Sequence, residues 1–529
     1  MATMTRRSLF SGAAAGLLLA AAGTASARGG IAARVGGVPL TREDRRVVVI
    51  GSGFGGGVTA LRLAQAGVPV LLLERGRRWA TGPNSETFPH ATRPDKRLLW
   101  HRSSPALFGT PLLFEKYTGL VEAVAGTGMT ALCAAGLGGG SLVYQGMSLQ
   151  PTREVFEAHF PAGLDWGRMD QVFYPRVARM LGLATAPDEL VDSAPYAAAR
   201  VFAERTRAAG FPVSKIPMPI DWNYALAELR GEMKPSYTNG DGAMGVNNGG
   251  KNSVDVTYIA AAEATGLVDV QTLHEVTGVE RAPDGRWVVR VDRLDTSGTV
   301  LENKIITTSA LVLAAGSLNT TRLLVRAGAT GAIPDLPDEL GKGWGTNADR
   351  IYVWREPTAG FGAAQGGPVV YGSKNWDDPQ AAYTFIQASI PPLAMDAGST
   401  MLVGYGVSRG RGEFVYDGGS DSATLRWPTE GDAAIQVHID AAVRRVAGPA
   451  ARVVDTNAVF PSTWHALGGA NMGSVCDLDG RVLGQRGLYV LDGALMPGNT
   501  AACNPSMTIA ALAERALDTL VRTDVGTLI

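Results

Sequence analysis

The sequence predicts an α/β protein: a discontinuous Rossmann-like domain with an inserted α+β domain that is built on an antiparallel sheet. Three observations predict this fold. A buried strand, a glycine-rich turn and a helix follow one another over 47–74. The same order returns at 310–327, and a buried strand and a helix come again at 487–522, near the end of the chain. Between 351 and 462, short β-like runs alternate with turns, which is typical of antiparallel sheet.

The first unit, VVVIGSGFGGGVTALRLAQAGVPVLLLE, has the spacing of a dinucleotide-binding βαβ motif. Its G-x-G-x-x-G follows directly on a run of four apolar residues. In that motif Gly51 permits a tight turn, Gly53 lets a pyrophosphate approach the backbone, and Gly56 lets the helix pack close to the strand. The helix, about 55–66, points its N-terminal N–H groups at the phosphates. The second apolar run ends at Glu74, whose carboxylate can accept both ribose hydroxyls.

The alternative for this motif is a glycine-rich loop in an ordinary parallel sheet. In a chain with 67 glycines, the motif alone is a weak signal. A strand before it, a helix after it and an acid about 20 residues further on together favour dinucleotide binding.

A second glycine-rich segment, AAGLGGGSLVYQGM, spans 134–147. Four glycines within five residues let the backbone lie flat against a planar or anionic group, and an extended apolar run is expected to follow. A flexible linker is the alternative, but the apolar flanks argue against it.

The predicted Rossmann-like domain takes residues 44–80, 135–150, 250–345 and 463–529. The substrate-side domain takes 81–134, 151–249 and 346–462, with 151–247 expected to be largely helical. A nicotinamide enzyme of the usual kind completes its nucleotide fold in one continuous block, whereas this chain returns to that fold at its end. The discontinuity therefore favours FAD, and a nicotinamide dehydrogenase is the competing hypothesis.

The first 27 residues have a basic start, an apolar stretch and the cleavage motif Ala25-Ser-Ala27, which predicts a signal peptide. The pair Arg6-Arg7 favours the twin-arginine route, with an ordinary secretory signal as the alternative. Because no later run of 18 apolar residues occurs, we expect a soluble secreted protein with at most peripheral membrane contact.

Composition excludes several classes of function. The formal net charge of −1 offers nothing to recruit nucleic acid. The 3 cysteines lack metal-ligand spacing, so no metal site is predicted. They also exclude a disulfide framework and leave either one optional bridge or three thiols.

Four further segments carry a resemblance to a known family: Gly138-Gly-Gly-Ser-Leu-Val, Thr272-Leu-His-Glu-Val276, Trp464-His465-Ala-Leu-Gly-Gly, and Asp492-Gly-Ala-Leu-Met-Pro-Gly with Asn504-Pro505. With them, nearly all of the chain after the signal peptide resembles the glucose-methanol-choline (GMC) flavin oxidoreductases. Within that family it is most similar to the bacterial cholesterol oxidases that bind FAD non-covalently.

The resemblance implies a set of FAD contacts. Including the glycines of the first motif, the residues expected to contact FAD are Gly51, Gly53, Phe54, Gly55, Gly56, Glu74, Gly140, Tyr144, Gln145, Met147, Val276, Asp492, Gly493, Asn504, Pro505 and Ser506. Two positions depart from the family pattern. Its cholesterol oxidases have Asn-Gly where this chain has Tyr144-Gln145, and a Phe where it has Ser506, so we expect altered flavin surroundings with the main anchors kept.

The resemblance also implies the chemistry of an alcohol oxidase. Hydride passes from carbon to flavin N5, and His465 orients the hydroxyl group and accepts or relays its proton. Asn504 contacts the substrate oxygen or the flavin edge, and an ordinary helix N-cap is its alternative role. In the family a glutamate then isomerises a sterol double bond. Its position falls on Gln387, whose amide is no carboxylate base, and Asp396 is the nearest acidic alternative.

Together with the predicted signal peptide, the resemblance implies a secreted oxidase of a bulky apolar secondary alcohol, such as a 3-hydroxysteroid, with dioxygen as acceptor and without glutamate-driven isomerisation. A non-sterol alcohol, or an acceptor other than dioxygen, is the close alternative. A flavin-bearing lyase or a redox-silent binding protein on the same scaffold is the alternative from another class, because a fold does not determine its chemistry.

Overall fold

The structure is a computed structural model that describes residues 37–103, 106–107, 110–111, 114–242, 245–389 and 397–529. The predicted signal peptide, residues 1–27, lies outside the described residues, and so does Asp396. Within the described ranges, no helix has both the length and the apolar character needed to cross a membrane.

The strands are numbered in chain order. The first ten are β1 (Leu40–Ile50), β2 (Val70–Glu74), β3 (Ala106–Leu107), β4 (Thr110–Pro111), β5 (Val121–Ala125), β6 (Thr130–Ala134), β7 (Ser214–Lys215), β8 (Val268–Thr272), β9 (His274–Arg281) and β10 (Trp287–Leu294). The others are β11 (Val300–Leu313), β12 (Arg350–Arg355), β13 (Tyr371–Asn375), β14 (Tyr383–Ala388), β15 (Ser399–Gly406), β16 (Glu413–Asp417), β17 (Ser422–Arg426), β18 (Arg452–Asp455), β19 (Ser462–Thr463) and β20 (Leu488–Val490).

The α-helices are α1 (Phe54–Gln65), α2 (Arg153–His159), α3 (Trp166–Arg168), α4 (Tyr174–Met180), α5 (Asp188–Val191), α6 (Ala197–Ala208), α7 (Asn223–Leu229), α8 (Ala260–Glu263), α9 (Gly316–Ala329), α10 (Ala433–Ala447) and α11 (Pro505–Thr523). Short 3₁₀ helices cover Gly139–Leu142, Ala194–Tyr196 and Gly493–Leu495, and π-helical turns cover Met169–Phe173 and Asp255–Ile259.

A seven-stranded sheet in the order β8-β2-β1-β11-β10-β9, with β20 also paired to β11, forms one layer. Strands β1, β2, β8, β11 and β20 run parallel, and β9 and β10 extend the sheet as antiparallel strands. The apolar run at the end of β1 is buried on both faces, as the sequence predicts for a central parallel strand. The carboxyl ends of the parallel strands therefore meet at one edge, where the glycine-rich turns begin.

An antiparallel sheet in the order β18-β12-β15-β14-β13-β7 forms the second domain. The predicted fold class is thereby confirmed: a discontinuous Rossmann-like domain carries an inserted domain on an antiparallel sheet. Helix α10 is a correction, because 351–462 was predicted to contain β-like runs and turns alone. Ile435, Ile439, Val443 and Val446 are buried at helical spacing, so a helical period was present in this stretch.

Candidate functional site

A cavity of about 630 Å³ lies between the carboxyl edge of the seven-stranded sheet and the antiparallel sheet. Its walls include the turn after β1, the end of β2, the second glycine-rich segment, the entry to α9 and the segments before α11. The lining includes Glu74 and Val276, from the end of β2 and from β9, and also His465 and Asn504, which respectively follow β19 and directly precede α11. We call the part at Glu74 and Val276 the cofactor end and the part at His465 and Asn504 the substrate end.

The turn after β1 shows that the glycines of the first motif have two different tasks. A β-carbon at Gly55 would overlap the carbonyl oxygen of Leu491, and one at Gly56 would overlap the carbonyl oxygen of Gly51. Gly51 itself has a φ of 95°. Around Gly53, by contrast, a β-carbon would meet nothing within 4 Å among the described atoms. Three glycines therefore permit tight packing, and Gly53 leaves open space at the start of α1.

Glu74 is held at the cavity wall by donors from the protein. Its Oε2 accepts from the Ser52 hydroxyl (2.5 Å) and the Ser52 N–H (3.2 Å). Its Oε1 accepts from the N–H groups of Gly76 (2.8 Å) and Gly136 (3.3 Å). These bonds fix the carboxylate at the tip of β2 and tie the two glycine-rich segments to each other.

The second glycine-rich segment is helical where an extended run was predicted. Gly138 and Gly139 have φ values of 106° and 55°, and these left-handed conformations lead directly into the 3₁₀ helix Gly139–Leu142. A β-carbon at Gly139 would lie 2.8 Å from the Cα of Gly53. A β-carbon at Gly140 would meet no described atom within 4 Å, so Gly140 faces open space as Gly53 does.

Tyr144, Gln145 and Met147 follow this turn and line the cavity. The Tyr144 ring meets Phe54 edge to face, with centroids 5.6 Å apart. The ammonium group of Lys251 donates to the carbonyl oxygens of Leu142 (3.0 Å) and Tyr144 (2.7 Å). Burial lowers the pKa of Lys251 to about 7.

Asp492 and Gly493 come shortly after the end of β20. The Asp492 carboxylate accepts from the N–H groups of Gly316 (2.8 Å) and Ala494 (2.7 Å) and from the Thr320 hydroxyl (2.6 Å). Burial raises the pKa of Asp492 to about 6. Both residues are cavity-lining, as the resemblance implies for a flavin contact.

These features fit an elongated dinucleotide. The first residues of α1 provide N–H groups beside the open space at Gly53, which suits a pyrophosphate. Glu74 offers carboxylate oxygens on one side of that space, and the cavity continues past Gly140 and Asp492 to the substrate end. The residues present are therefore those that would hold FAD along its whole length.

At the substrate end, His465 follows β19 and Asp349 immediately precedes β12. Nδ1 of His465 lies 2.6 Å from Oδ1 of Asp349, whose side chain is 0% exposed. Asp349 Oδ2 accepts from the Thr463 hydroxyl (2.7 Å) and the His465 N–H (3.1 Å). The Tyr405 ring meets the imidazole edge to face at 5.7 Å. Since a carboxylate only accepts, Nδ1 carries the proton and Nε2 holds the free lone pair.

Asn504 lines the cavity, and its amide is engaged by the protein. Its Nδ2 donates to the Met147 carbonyl oxygen and to the Ser506 hydroxyl, the latter at 2.7 Å. Its Oδ1 accepts from the Leu149 N–H at 3.1 Å. Asn504 therefore ties the second glycine-rich segment to the start of α11, where Pro505 is the first helical residue.

Gln387 does not face the cavity, which corrects the sequence-based placement. Successive residues of β14 point to opposite faces, and Ile386 is the one that lines the cavity. Gln387 is buried on the other face, where its Nε2 donates to the Thr400 hydroxyl at 3.1 Å. From this strand, therefore, Ile386 and not Gln387 contributes to the cavity wall.

Sequence reasoning missed Asp349 and the aliphatic wall of the substrate end. Asp349 has no motif of its own and reaches His465 across 116 residues of chain. The wall comes from one residue of β12, one of β14 and two alternate residues of β15, namely Ile351, Ile386, Met401 and Val403. Period-two alternation would have grouped the wall residues within each strand, but no local signal pairs the strands with His465.

The 3 cysteines are free thiols, which settles the alternatives left open by their number. Cys133 lines the cavity near the cofactor end, and burial raises its pKa to about 11. Among the residues that the structure describes, no group of three or more His, Cys, Asp or Glu side chains is placed to hold a metal ion.

Comparison with known sequence families gives matches along most of the chain. The family description "GMC oxidoreductase" matches residues 113–342 and 423–513 as its N-terminal and C-terminal parts. The description "NAD(P)-binding Rossmann-like domain" matches residues 49–112. The two GMC matches together span more than half of the chain.

Individual relatives are more distant. A cholesterol oxidase of Mycobacterium tuberculosis is 29% identical over 330 residues, which cover 59% of this chain and 52% of the relative. The chain thus matches about half the length of that protein. A cholesterol oxidase of Acinetobacter baumannii is 26% identical over 559 residues, covering 90% of this chain and 94% of the relative.

Two solved structures share the fold at 16% identity. One is pyridoxine 4-oxidase from Mesorbium loti, with a TM-score of 0.59 and coverage of 90% of this chain and 99% of that one. The other is a fungal aryl-alcohol oxidase, with a TM-score of 0.61 and coverage of 91% of this chain and 99% of that one. The two GMC matches show that this chain belongs to the GMC oxidoreductase family, and its cavity is suited to FAD.

Proposed function

We propose that the protein oxidises a bulky, apolar secondary alcohol of the 3-hydroxysteroid kind to a ketone, with dioxygen as the final acceptor. One observation carries this proposal: His465, held by a buried carboxylate, stands at a cavity end whose strand-borne wall is aliphatic. The names of the two cholesterol oxidase relatives support the substrate class.

The proton of the alcohol goes to His465. With Nδ1 bonded to Asp349, Nε2 can accept a hydrogen bond from the substrate hydroxyl and then take its proton. The O–H bond breaks as the carbinol C–H bond gives up hydride, and the carbonyl double bond forms between the same carbon and oxygen. The imidazolium that results faces the Asp349 carboxylate, which stabilises its charge.

Bound FAD would supply the hydride acceptor at N5 and pass both electrons to dioxygen, giving hydrogen peroxide. The protein would hold its pyrophosphate at Gly53 and Phe54, its ribose at Glu74 and its adenine beside Val276. Asp492, Gly493 and the segment from Gly140 to Met147 would hold the remainder. Asn504 acts here as a positioning residue, because its amide fixes Met147 and Leu149 against α11.

The wall of the substrate end sets the substrate class. Ile351, Ile386, Met401 and Val403 offer apolar surface, and burying apolar substrate surface there contributes roughly 25 cal/mol per Å². Among the described residues of this wall, none carries a carboxylate that could move a proton between ring carbons. We therefore propose that oxidation stops at the ketone, without glutamate-driven isomerisation.

The test is anaerobic mixing of the purified yellow holoprotein with a panel of alcohols that includes 3-hydroxysteroids and small primary alcohols. We expect bleaching of the oxidised-flavin absorption by the steroid alcohols, and one peroxide per ketone when air is admitted. Bleaching by small polar alcohols alone would overturn the substrate class. Bleaching without peroxide would overturn dioxygen as acceptor, and a flavin that no alcohol reduces would overturn the oxidation itself.

We also propose that the enzyme works outside the cytoplasm. The basic, apolar and small-residue pattern of residues 1–27 supports export, and Arg6-Arg7 supports the twin-arginine route, which carries folded, cofactor-loaded proteins. Replacing both arginines by lysine should leave the yellow protein in the cytoplasm of a host that has this route. Undiminished export of the lysine variant would exclude twin-arginine export.

A further inference from the structure

Four non-glycine residues in the left-handed region flank the substrate end in two pairs. Asn347 and Ala348 both have a φ of 56°, and Ala501 and Ala502 have φ values of 54° and 59°. Non-glycine residues seldom adopt this conformation, and alanine has no side-chain hydrogen bond to support it. Such strain persists only where the surrounding structure enforces it, and it concentrates at functional sites.

Each pair leads directly into a residue of the site. Asp349, which holds His465, follows Ala348, and Asn504 follows Ala502 after the single residue Cys503. The backbone direction set by each pair therefore determines where these two side chains stand. A relaxed backbone at either pair would displace one side of the substrate end relative to the other.

The Asn347 side chain connects the two pairs. Its Nδ2 donates to the carbonyl oxygen of Cys503 at 2.8 Å, and its Oδ1 accepts from the Thr500 N–H at 3.1 Å. Asn347 is fully buried (0% exposed), so water does not compete for these bonds. The Asn347 amide thus joins two segments that are 156 residues apart, and it bonds to Thr500 and Cys503, the first and last residues of a single turn.

We propose that Asn347 is a positioning residue that sets the distance between the His465–Asp349 pair and the loop that carries Asn504. The proposal rests on the proposed function, because it assigns Asn347 to the placing of a proton acceptor against a bound alcohol. The ordinary alternative is an asparagine that only satisfies buried backbone groups. That role would affect stability and would leave the chemistry of His465 unchanged.

The variant that separates these roles is Asn347→Gly. Glycine adopts a φ near 56° without strain, so this change removes the amide and retains the backbone conformation. Asn84→Gly is the matched control. Asn84 is also left-handed, with a φ of 59°, and its Oδ1 accepts the Lys234 N–H at 2.7 Å, but it is exposed and lies outside the cavity wall.

We expect Asn347→Gly to slow flavin reduction by the alcohol by about tenfold to a hundredfold, since small displacements of reacting groups have effects of that size. KM should change less than the reduction rate, and Asn84→Gly should match the wild type in both. Should the glycine variant fail to fold, Asn347→Asp keeps an acceptor for Thr500, cannot donate to Cys503, and should slow reduction likewise. Unchanged reduction in either folded Asn347 variant would overturn the proposal.

A double variant tests whether Asn347 acts through His465. In a His465→Gln background, Asn347→Gly should slow flavin reduction by less than about twofold, because the group it positions is already gone. A further loss equal to that in the wild-type background would show that Asn347 acts independently of His465, which would overturn the proposal.

A measurement without turnover keeps this test distinct from the proposed function. In holoprotein labelled with ¹⁵N-histidine, the Nδ1–H resonance of His465, identified by its absence in His465→Gln, reports the bond to Asp349. We expect it to shift and exchange faster with solvent in Asn347→Gly and to stay unchanged in Asn84→Gly. If no alcohol reduced the wild-type flavin, the proposed function would fail, and this resonance would still decide the role of Asn347.

Discussion

At the cofactor end of the cavity, the glycine motif and Glu74 come from neighbouring elements of one βαβ unit, whereas the His465–Asp349 pair at the substrate end joins segments that are distant in the chain. Gly51 to Gly56 connect β1 to α1 within one motif, and Glu74 ends the next strand. His465 and Asp349 are 116 residues apart, and Asn504 contacts Leu149 across 355 residues. The glycine turn at the cofactor end thus depends on local backbone geometry, and the substrate end depends on long-range hydrogen bonds made by side chains.

This difference indicates which property of the protein a substitution at each end will change. At the cofactor end, an added methyl group meets either backbone or open space, so its effect is on folding or on FAD binding. At the substrate end, the side chains are held by a few buried hydrogen bonds, so a substitution there alters chemistry first.

Gly55→Ala against Gly53→Ala tests the cofactor end. We expect Gly55→Ala to prevent folding or lower the melting temperature sharply, because its β-carbon would overlap the Leu491 carbonyl oxygen, and overpacking of this kind costs about 1–3 kcal/mol or more. Gly53→Ala should fold, since its φ of −69° suits alanine and its β-carbon meets no described atom within 4 Å, but it should bind FAD weakly. Thermal unfolding and the flavin content of purified protein check both. Similar flavin content and stability in the two variants would contradict the division of tasks.

His465→Gln tests the substrate end. Loss of the proton acceptor should slow flavin reduction by about 10²–10⁴-fold while FAD stays bound. The measurement is anaerobic stopped-flow reduction by the best alcohol of the panel, together with the absorption spectrum of the oxidised flavin. A variant that loses its yellow colour would show that His465 belongs to the cofactor end instead.

Asp349→Asn should have the next largest effect, about a hundredfold on flavin reduction. The amide keeps the size of the carboxylate but no longer requires a proton on Nδ1, and it does not stabilise the imidazolium. Asp432→Asn is the matched control: Asp432 is a buried carboxyl nearby that accepts from Thr346 and Ser408, and burial raises its pKa, so an amide replaces a group already inclined to be neutral. We expect Asp432→Asn to leave the reduction rate within about twofold of the wild type. Equal losses of reduction rate in the two variants would mean that replacing any buried carboxyl of this region slows flavin reduction, and that the bond from Asp349 to His465 has no special role.

The contrast between local turns at the cofactor end and long-range bonds at the substrate end also explains how much of the structure the sequence could predict. The predicted fold class is confirmed, because each of its parts is recognisable from a short stretch of sequence. These parts are the β1 turn, the acid at the end of β2, the later strands that return to the first sheet and the closing helix. Helix α10 was not predicted, although its buried residues recur at helical spacing. The short strands and turns before it favoured a β prediction for the whole of 351–462.

The substrate end could be predicted only through the resemblance. His465 and Asn504 were found by motif, but nothing in the sequence around Asp349 indicates that it holds a histidine. Gln387 was placed by the resemblance alone, through an ungapped alignment that can slip by a few residues. In a strand, an error of one residue moves a side chain to the opposite face. Ile386, and not Gln387, therefore lines the cavity.

Ile386 and Gln387 face opposite sides of β14, so a carboxylate at either position should have a different effect on isomerisation. Ile386→Glu should bring a carboxylate to the cavity, whereas Gln387→Glu should place it on the far face of β14, beside Thr400. With a Δ5-sterol as substrate, we expect conjugated enone, detected by its ultraviolet absorption, from Ile386→Glu and not from Gln387→Glu. Enone from Gln387→Glu alone would show that this strand presents its other face to the substrate.

The smallest expected effect concerns Lys251, which supports the cofactor end from beneath the second glycine-rich segment. Burial lowers its pKa from 10.5 to about 7, so the folded protein releases this proton at a lower pH than the unfolded chain does. The resulting penalty is complete below pH 7 and disappears as the pH rises from 7 towards 10.5. Relative to Lys251→Met, the free energy of unfolding of the wild type should therefore rise between pH 7 and 9, by about 1 kcal/mol per pH unit.

Melting temperatures of both proteins across this pH range measure the slope. The control is Lys342→Met, which removes an exposed ammonium paired with Glu339 and should show the wild-type slope. A constant difference between the wild type and Lys251→Met would mean that water reaches this ammonium, and that hydrogen bonds to Leu142 and Tyr144 alone hold the segment.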